Sequence, residues 1–262
     1  MTEAARRKPG TPCWVSLMAH DLDATREFYG ALFGWRFQPG PQQLGPYLRG
    51  LLDGEEVAGI GQHPGDRGLP TAWTPYLASD DADESAESIR CSGGTVAVGP
   101  LDAADAGRMV ICSDPTGAVF GVWQAASHLG TAVAGRHGTP VWNELLTQET
   151  EAVGKFYKTV FGYELEPLAS ADADVDADVV TLRLDDRPVA SLHGVGTALP
   201  RDRGAHWMTW FEVADADDAA RRVAELGGRV VEPPRDGPRG RHATVADPEG
   251  AVFTVVRSAG DR

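Results

Sequence analysis

The sequence predicts an α+β protein made of two tandem domains, each built from two βαβββ units. Two motifs that occur twice carry this prediction. Gly10-Thr11-Pro12-x-Trp14 returns as Gly138-Thr139-Pro140-x-Trp142, an offset of 128 residues (138 − 10), and Asp114-Pro115-x-Gly117 returns as Asp247-Pro248-x-Gly250, an offset of 133 (247 − 114). Solenoid and propeller units repeat every ~20 to 50 residues, so a longer period indicates a duplicated domain. We predict domain 1 at residues 10–124, a linker at 125–137 and domain 2 at 138–257.

The first copy reads as strand, helix and three strands, after which the same order starts again. The first strand is predicted at 14–19, and Asp21 or Asp23 begins a helix that ends at Phe33 because Gly34 follows. The dipeptide Asp53-Gly54 is typical of a hairpin turn. The other first-copy elements are predicted as strands at 35–38, 47–53 and 57–62, a strand from Trp73, a helix at 82–91, and strands at 95–98, 108–113 and 118–124.

The second copy repeats this order, and the glycine pairs Gly93-Gly94 and Gly227-Gly228 end the second helix of each copy. Its elements are predicted as a strand at 141–146, a helix at 151–161, strands at 163–167, 179–185 and 189–193, a strand at 207–213, a helix at 216–226, and strands at 229–231, 241–246 and 251–257. Segment 125–137, which contains His128 and His137, shows no periodicity and is therefore the predicted linker.

Bulk composition restricts the class of partner. A chain of 262 residues suits two domains of about 125 residues each. A net charge of −14 argues against nucleic-acid or anionic-membrane partners, and no apolar run approaches the roughly 20 residues of a membrane span. The three cysteines, Cys13, Cys91 and Cys112, are widely spaced, which predicts reduced thiols in a cytoplasmic protein.

The Asp-Pro-x-Gly motifs favour a structural role over a direct ligand contact. Asp followed by Pro sets a turn, Gly supplies a positive φ, and an alternating strand comes next.

With Phe28-Tyr29 and Phe33-Gly34, their copies Phe156-Tyr157 and Phe161-Gly162, the glycine pairs and these turns, the chain resembles the vicinal oxygen chelate superfamily. That superfamily includes glyoxalase I, bleomycin-resistance proteins and extradiol dioxygenases. More narrowly, the chain resembles tandem-domain glyoxalase-like proteins of actinobacteria. The resemblance implies that each domain forms a curved mixed sheet around a cavity with helices outside. It also implies that the duplication replaces the dimer of single-domain relatives, so we expect a monomer or a homodimer. The motifs are specific for fold and weak for activity.

The resemblance further implies where metal-dependent members hold a divalent ion, and this chain departs from that pattern. Those members place His, Gln or Glu at positions that correspond here to Trp14, Thr74 (or Trp73), Gly121, Trp142, Met208 (or Trp207) and Thr254. A divalent metal needs several converging N, O or S donors. We therefore predict no metal in a family-type position and no cofactor. His193 ends a strand near a remaining ligand position, but its first-copy counterpart is Gly61, and one histidine is not a site.

Strand alternation predicts which side chains face the cavity. On the first strands these are Trp14, Ser16 and Met18 in one copy and Trp142, Glu144 and Leu146 in the other. The candidate ligand-binding residues are Trp14, Tyr76, Trp123, Trp142, Met208, Trp210 and Glu212. Aromatic walls suit a flat, apolar small molecule. The alternative is that the indoles only fill the half-barrel as core. The second copy is expected to be the more open one.

Glu144 is the candidate catalytic residue. A carboxylate that faces inward between Trp142 and Leu146 loses hydration, which favours its neutral form and suits a general acid or base. The alternative is a structural ion pair with Arg183 or Arg241. The counterpart of Glu144 in the first copy is Ser16, which cannot do this work. His206 and His242 are further second-copy candidates.

Three functions follow. The first is a binding protein of the bleomycin-resistance type that holds a hydrophobic or aromatic small molecule without the family metal. The second is a metal-independent lyase, isomerase or hydroxylase-like enzyme in which Glu144 moves a proton. The third is a metal-dependent glyoxalase or dioxygenase with displaced ligands such as His193, His206 and Glu212.

Overall fold

The computed structural model describes residues 6–41, 45–65, 69–168 and 178–260. Within them the protein is α+β, with sixteen strands in two eight-stranded mixed sheets and four α-helices, in the predicted order. The first-copy elements are β1 Pro12–Ala19, α1 Leu22–Phe33, β2 Arg36–Pro39, β3 Tyr47–Leu52, β4 Glu55–Gln62, β5 Trp73–Ala78, α2 Ala82–Cys91, β6 Thr95–Asp102, β7 Gly107–Ser113 and β8 Val119–Ala125. The second-copy elements are β9 Pro140–Thr147, α3 Glu151–Phe161, β10 Glu164–Pro167, β11 Asp178–Leu184, β12 Arg187–Gly194, β13 His206–Glu212, α4 Ala216–Glu225, β14 Arg229–Gly237, β15 Gly240–Ala246 and β16 Val252–Ser258.

Two strands run farther than predicted. The predicted ends at residues 98 and 231 are wrong, because β6 reaches Asp102 and β14 reaches Gly237 despite their prolines. Each is the last strand of its sheet, where a missing backbone N–H is tolerated. The pairing of both strands also shifts register near the prolines, which absorbs the residues that cannot donate to the ladder.

The compact units of the chain do not follow its linear order. Unit 1 is Met1–Cys13, Pro75–Leu129 and Asn143–Trp207, and unit 2 is Trp14–Thr74, Gly130–Trp142 and Met208–Arg262. Each sheet comes from one sequence copy, whereas each unit combines a half of both copies. The boundaries 10–124, 125–137 and 138–257 therefore stay a prediction.

In unit 2 the strand orders are β2-β3-β4-β1 and β13-β16-β15-β14. Its core joins apolar side chains of both copies, from Val15 and Leu17 on β1 through Phe28 and Phe33 on α1 to Phe211 on β13. The helix α1 begins because the Asp21 carboxylate accepts the backbone N–H groups of its first turn, and it ends at Gly34, where φ is +74°. Unit 1 has the orders β5-β8-β7-β6 and β10-β11-β12-β9, with an equivalent core around α2 and α3.

The repeated motifs meet in buried hydrogen-bond chains. In unit 2, Trp73 Nε1 donates a hydrogen bond to Tyr29 Oη, and Tyr29 Oη donates one to Asp247 Oδ2. The donor–acceptor distance is 3.0 Å in both. The other carboxylate oxygen, Oδ1, accepts the backbone N–H groups of Glu249 and Ala251 at 3.0 and 2.8 Å. The Asp-Pro-x-Gly motif thus closes its own turn and anchors the tyrosine of the Phe-Tyr motif. Unit 1 repeats this chain with Trp207, Tyr157 and Asp114.

The Gly-Thr-Pro motifs are anchored in the same reciprocal way. Trp35 Nε1 donates to the Gly138 carbonyl at 2.8 Å in unit 2, and the Tyr163 hydroxyl donates to the Gly10 carbonyl in unit 1. Both glycines have positive φ, and an added Cβ at Gly138 would lie 2.9 Å from the Phe33 backbone oxygen. Glycine is therefore required where each copy begins.

Candidate functional site

The predicted alternation of side chains is confirmed on the strands that carry the candidate residues. Val15 and Leu17 lie in the core of unit 2, so Trp14, Ser16 and Met18 point to the opposite face of β1. On β13, Phe211 belongs to that core, which places Met208, Trp210 and Glu212 on the opposite face. Leu145 lies in the core of unit 1, and Glu144 and Leu146 alternate with it on β9.

In the first copy this face of unit 2 is filled by a tyrosine. Tyr47 Oη accepts a hydrogen bond from Trp14 Nε1 at 3.0 Å and shares one with Ser16 Oγ at 2.8 Å. Its ring lies over two glycines of the neighbouring strand, since an added Cβ at Gly59 would approach Tyr47 Oη to 1.7 Å and one at Gly61 would approach its ring to 3.3 Å. Burial raises the pKa of the Tyr47 phenol, which stays neutral as a hydrogen-bonding group. These residues form a packed, hydrogen-bonded plug.

The first-copy face of unit 1 is filled as well. The Tyr76 ring covers Gly121, where an added Cβ would lie 2.2 Å from its Cδ1. The indole of Trp123 lies against Gly107, and its Nε1 donates to the His128 carbonyl at 2.8 Å. For Trp14, Tyr76 and Trp123 the geometry therefore favours the core interpretation over ligand lining.

The second copy replaces the plug by a polar cluster in unit 1. In the first copy, the register of β1 and β4 pairs Ser16 with Gly59 and Met18 with Gly61. In the second copy, the register of β9 and β12 pairs Glu144 with Ser191 and Leu146 with His193. Tyr47 lies opposite Gly61, and the residue opposite His193 is Val179. Where the first copy has a tyrosine over two glycines, the second therefore has valine, serine and histidine beside a glutamate.

This Glu144 cluster (Glu144, Ser191 and His193) is bonded internally and partly open to solvent. Ser191 Oγ donates to Glu144 Oε1 at 3.3 Å, and His193 Nδ1 lies 3.9 Å from the same oxygen. The side chain of Glu144 is 17% exposed and that of His193 is 36% exposed. The two arginines considered as ion-pair partners hold other carboxylates, Arg183 that of Glu166 and Arg241 that of Asp217. The cluster can hold a proton or a hydrogen-bonding ligand group.

An aromatic patch lies on the second-copy face of unit 2, and we define it as Trp142, Arg239, His242 and Trp210. The guanidinium carbon of Arg239 lies 3.3 Å from the centre of the Trp142 ring. The His242 and Trp210 rings are in contact, with centroids 5.0 Å apart and planes tilted by 36°. One turn supports both pairs. His242 Nδ1 lies 3.1 Å from the Gly240 carbonyl, and an added Cβ at Gly237 would lie 2.6 Å from His242 Cε1.

Other second-copy candidates have structural partners. Glu212 accepts the Ser258 backbone N–H at 3.0 Å and the Ser258 hydroxyl, which ties the end of β13 to the end of β16. Met208 is 5% exposed. His206 Nδ1 lies 2.7 Å from the Gly204 carbonyl, and burial lowers the pKa of its ring.

In the first copy, burial raises the pKa of the Cys112 thiol to about 12, which favours a packing role over a reactive thiolate.

Unit 2 also has an open cleft of about 710 Å³ lined by His20, Asp21, Leu22, Asp23, Gln62 and Glu249. Glu249 uses both carboxylate oxygens to accept the backbone N–H groups of His20 and Asp21, each at 2.7 Å. Asp21 caps α1. The carboxylates of Glu249 and Asp21 therefore accept hydrogen bonds from the backbone and stabilise the start of α1.

Relatives of known sequence match this chain over nearly their whole length. The chain is 37% identical over 266 residues to the protein named "Putative glyoxylase CFP32" of Mycobacterium tuberculosis, and the match covers 99% of each chain. It is also 37% identical to the anthracycline biosynthesis protein DnrV of Streptomyces peucetius, covering 96% of this chain and 94% of that one. The chain belongs to the vicinal oxygen chelate superfamily. Residues 142–256 match the model of the glyoxalase-like domain, and residues 12–46 match that of the bleomycin resistance protein-like N-terminal domain.

Solved structures of this superfamily share the fold. The 2,3-dioxygenase LapB of Pseudomonas sp. KL28 superposes with a TM-score of 0.67 at 15% identity, covering 97% of this chain and 94% of that one. The Mn(II)-bound glyoxalase of Novosphingobium aromaticivorans superposes with a TM-score of 0.64 at 15% identity, covering 95% of this chain and 82% of that one.

The residues at the superfamily's metal positions do not fit a divalent ion in this chain. Trp14 Nε1 donates a hydrogen bond, Gly121 has no side chain, and Trp142, Met208 and Thr254 supply an indole, a thioether and a hydroxyl. In the described ranges no group of three or more His, Cys, Asp and Glu side chains could hold a metal ion. None of the helices described there is long and apolar enough to cross a membrane.

Sequence reasoning missed three residues of these sites. Tyr47 was signalled by the glycines opposite it, because glycine within a strand marks the close approach of another group. Ser191 was signalled only by the pairing of β12 with β9. Arg239 lies in a turn, and nothing in its local sequence connects it with Trp142.

Proposed function

We propose that this protein binds a planar aromatic small molecule at the aromatic patch of unit 2, without a metal in the superfamily's position. The observation that carries the proposal is the patch itself. Two indoles and an imidazole lie on strand faces turned away from the cores, and the guanidinium of the turn residue Arg239 lies over one of the indoles. Rings of this kind bind flat apolar molecules by stacking and exclude water from them.

The difference between the copies supports the second copy as the binding copy. Trp14 is 6% exposed and hydrogen-bonded to Tyr47, whereas Trp142 is more exposed and carries Arg239 on its ring. Two relatives are named for anthracycline biosynthesis, and anthracyclines contain a planar fused-ring system. A ligand of that class matches the chemistry of the patch.

Tryptophan fluorescence tests the proposal. The wild-type protein is titrated with two- to four-ring aromatics, from 2-naphthol to an anthracycline aglycone, and compared with the variants Trp142→Phe and Trp14→Phe. We expect micromolar binding by at least one polycyclic probe. Trp142→Phe should weaken binding by up to about 1 kcal/mol, because phenyl offers a smaller ring for stacking and for the Arg239 guanidinium.

Trp14→Phe is the matched control, because it changes the equivalent residue of the plugged copy and should leave the dissociation constant unchanged. The proposal fails if no probe binds at micromolar concentration, or if only Trp14→Phe weakens binding.

A second candidate function is proton transfer by the Glu144 cluster. The Glu144 side chain is 17% exposed and has a serine hydroxyl and an imidazole near the same oxygen, an arrangement that suits a general base. A relative named as a glyoxylase favours isomerisation of an α-hydroxy carbonyl compound, in which a base removes a proton from carbon.

The test uses the hemithioacetal of methylglyoxal and glutathione in D₂O, followed by NMR. If Glu144 is the base, Glu144→Gln should lower turnover by roughly two to four orders of magnitude while binding persists. Glu149→Gln is the control, since Glu149 is exposed and accepts the backbone N–H of Glu151 at the start of α3. Equal rates for wild type and Glu144→Gln exclude Glu144 as the base.

A further inference from the structure

Trp210 differs from most other tryptophans of the chain in the hydrogen bonding of its indole N–H group. Five of the seven tryptophans donate to a defined oxygen: Trp14 to Tyr47, Trp35 to Gly138, Trp73 to Tyr29, Trp123 to His128 and Trp207 to Tyr157. Trp210 is 8% exposed, and its Nε1 is buried without an acceptor among the residues that the structure describes.

A buried donor without an acceptor is costly. Over nine-tenths of buried polar groups in proteins are hydrogen-bonded, and leaving one unsatisfied costs roughly 1–3 kcal/mol. The core side of β13 shows what this protein does with buried indoles, since Trp207 on the same strand donates to Tyr157 at 3.0 Å. Trp210 lies on the other face, in the aromatic patch, so an acceptor for its N–H would come from a molecule bound there.

The positive charge of the patch points to the second property of such a molecule. Arg239 holds its guanidinium carbon 3.3 Å from the centre of the Trp142 ring, and guanidinium N–H groups bind a carboxylate or a phenolate. The first copy has Ala106 at the equivalent position before β7 and therefore lacks this charge.

We propose that the ligand of the aromatic patch is an anionic, oxygenated polycyclic aromatic. A ring oxygen, such as a quinone carbonyl, accepts the Trp210 N–H, and an acidic substituent binds Arg239. This inference rests on the proposed binding function and names the class of its ligand.

Three three-ring probes separate the two contacts by calorimetry. Anthraquinone-2-carboxylate has both features, anthracene-2-carboxylate lacks the ring carbonyls, and anthraquinone-2-carboxamide lacks the charge. Trp210→Phe should weaken anthraquinone-2-carboxylate roughly three- to tenfold more than anthracene-2-carboxylate, because both probes lose stacking area and only the first loses the hydrogen bond from the indole N–H. Arg239→Gln should weaken both carboxylates roughly tenfold or more and leave the carboxamide unchanged.

Ratios of dissociation constants within one variant make the test independent of any general loss of folding, and Trp14→Phe serves as the matched control. The inference is overturned if Trp210→Phe weakens both carboxylates equally, or if Arg239→Gln does not separate the charged probes from the carboxamide. Binding of all three probes with equal affinity contradicts the inference while the proposed function stands. If none of these probes and no aromatic of the fluorescence panel binds, the proposed function itself fails.

Discussion

At the scale of single residues, the two copies use the same positions for different purposes. Ser16 and Glu144 are equivalent on their strands, yet Ser16 shares a hydrogen bond with Tyr47 and Glu144 accepts one from Ser191. Gly59 and Gly61 make room for Tyr47, whereas Ser191 and His193 at the same positions add polar atoms. A duplicated chain can change one copy in this way while the other keeps the fold.

Asp247 gives a pH-dependent stability that can be measured. Burial raises the pKa of its carboxyl from 3.8 to about 6, despite the hydrogen bonds that it accepts from Ala251 and Tyr29. Between pH 4 and pH 6 the unfolded chain therefore loses this proton before the folded chain does, and stability falls as pH rises. The full difference is about 3 kcal/mol, from about 1.36 kcal/mol per pKa unit.

Asp247→Asn removes this titration. Urea titrations at each pH give the free energy of unfolding of the wild type and of Asp247→Asn. The wild-type value minus the variant value should fall by up to about 3 kcal/mol from pH 4 to pH 7. Asp105→Asn, in an exposed turn, is the matched control. A constant difference for Asp247→Asn would show that Asp247 does not bind a proton on folding.

At the scale of elements, the sequence predicted the secondary structure closely, because each helix carries its own signals. The helix predicted at 82–91 is found at Ala82–Cys91, where Asp81 accepts the N–H groups of Asp83 and Glu84 and the glycine pair follows. Strand alternation also predicted which face of β1 and β13 is turned from the core. These signals are local and do not depend on the partner strand.

Two kinds of feature escaped prediction, and both depend on partners distant in sequence. The ends of β6 and β14 were placed too early, and both strands continue through prolines that the edge of a sheet tolerates. Of the candidate site, Glu144 and the indoles were predicted from strand alternation together with the ligand positions that the family resemblance implies. Tyr47, Ser191 and Arg239 were not, since their roles depend on strand register and on a turn that reaches Trp142.

At the scale of the whole molecule, duplication lets the copies stabilise each other. Each compact unit takes strands and helices from both copies, and each is closed by the same Trp–Tyr–Asp chain. The motifs that reveal the repeat, Phe-Tyr and Asp-Pro-x-Gly, supply the tyrosine and the aspartate of this hydrogen-bond chain. They report on the fold, and the candidate site residues lie outside them.

Metal content tests this separation of fold and chemistry. Zinc, manganese, nickel and iron bind imidazole, carboxylate or thiolate groups, and the superfamily's positions here supply Trp14, Gly121, Trp142, Met208 and Thr254. We expect elemental analysis of untagged protein, grown with all four metals and dialysed, to find each far below one equivalent per chain. One retained equivalent would contradict this expectation and direct attention to His193, His206 and Glu212. Replacing each of these by Ala would then show which residue holds the ion, because loss of a ligand lowers metal retention whereas loss of a surface side chain does not.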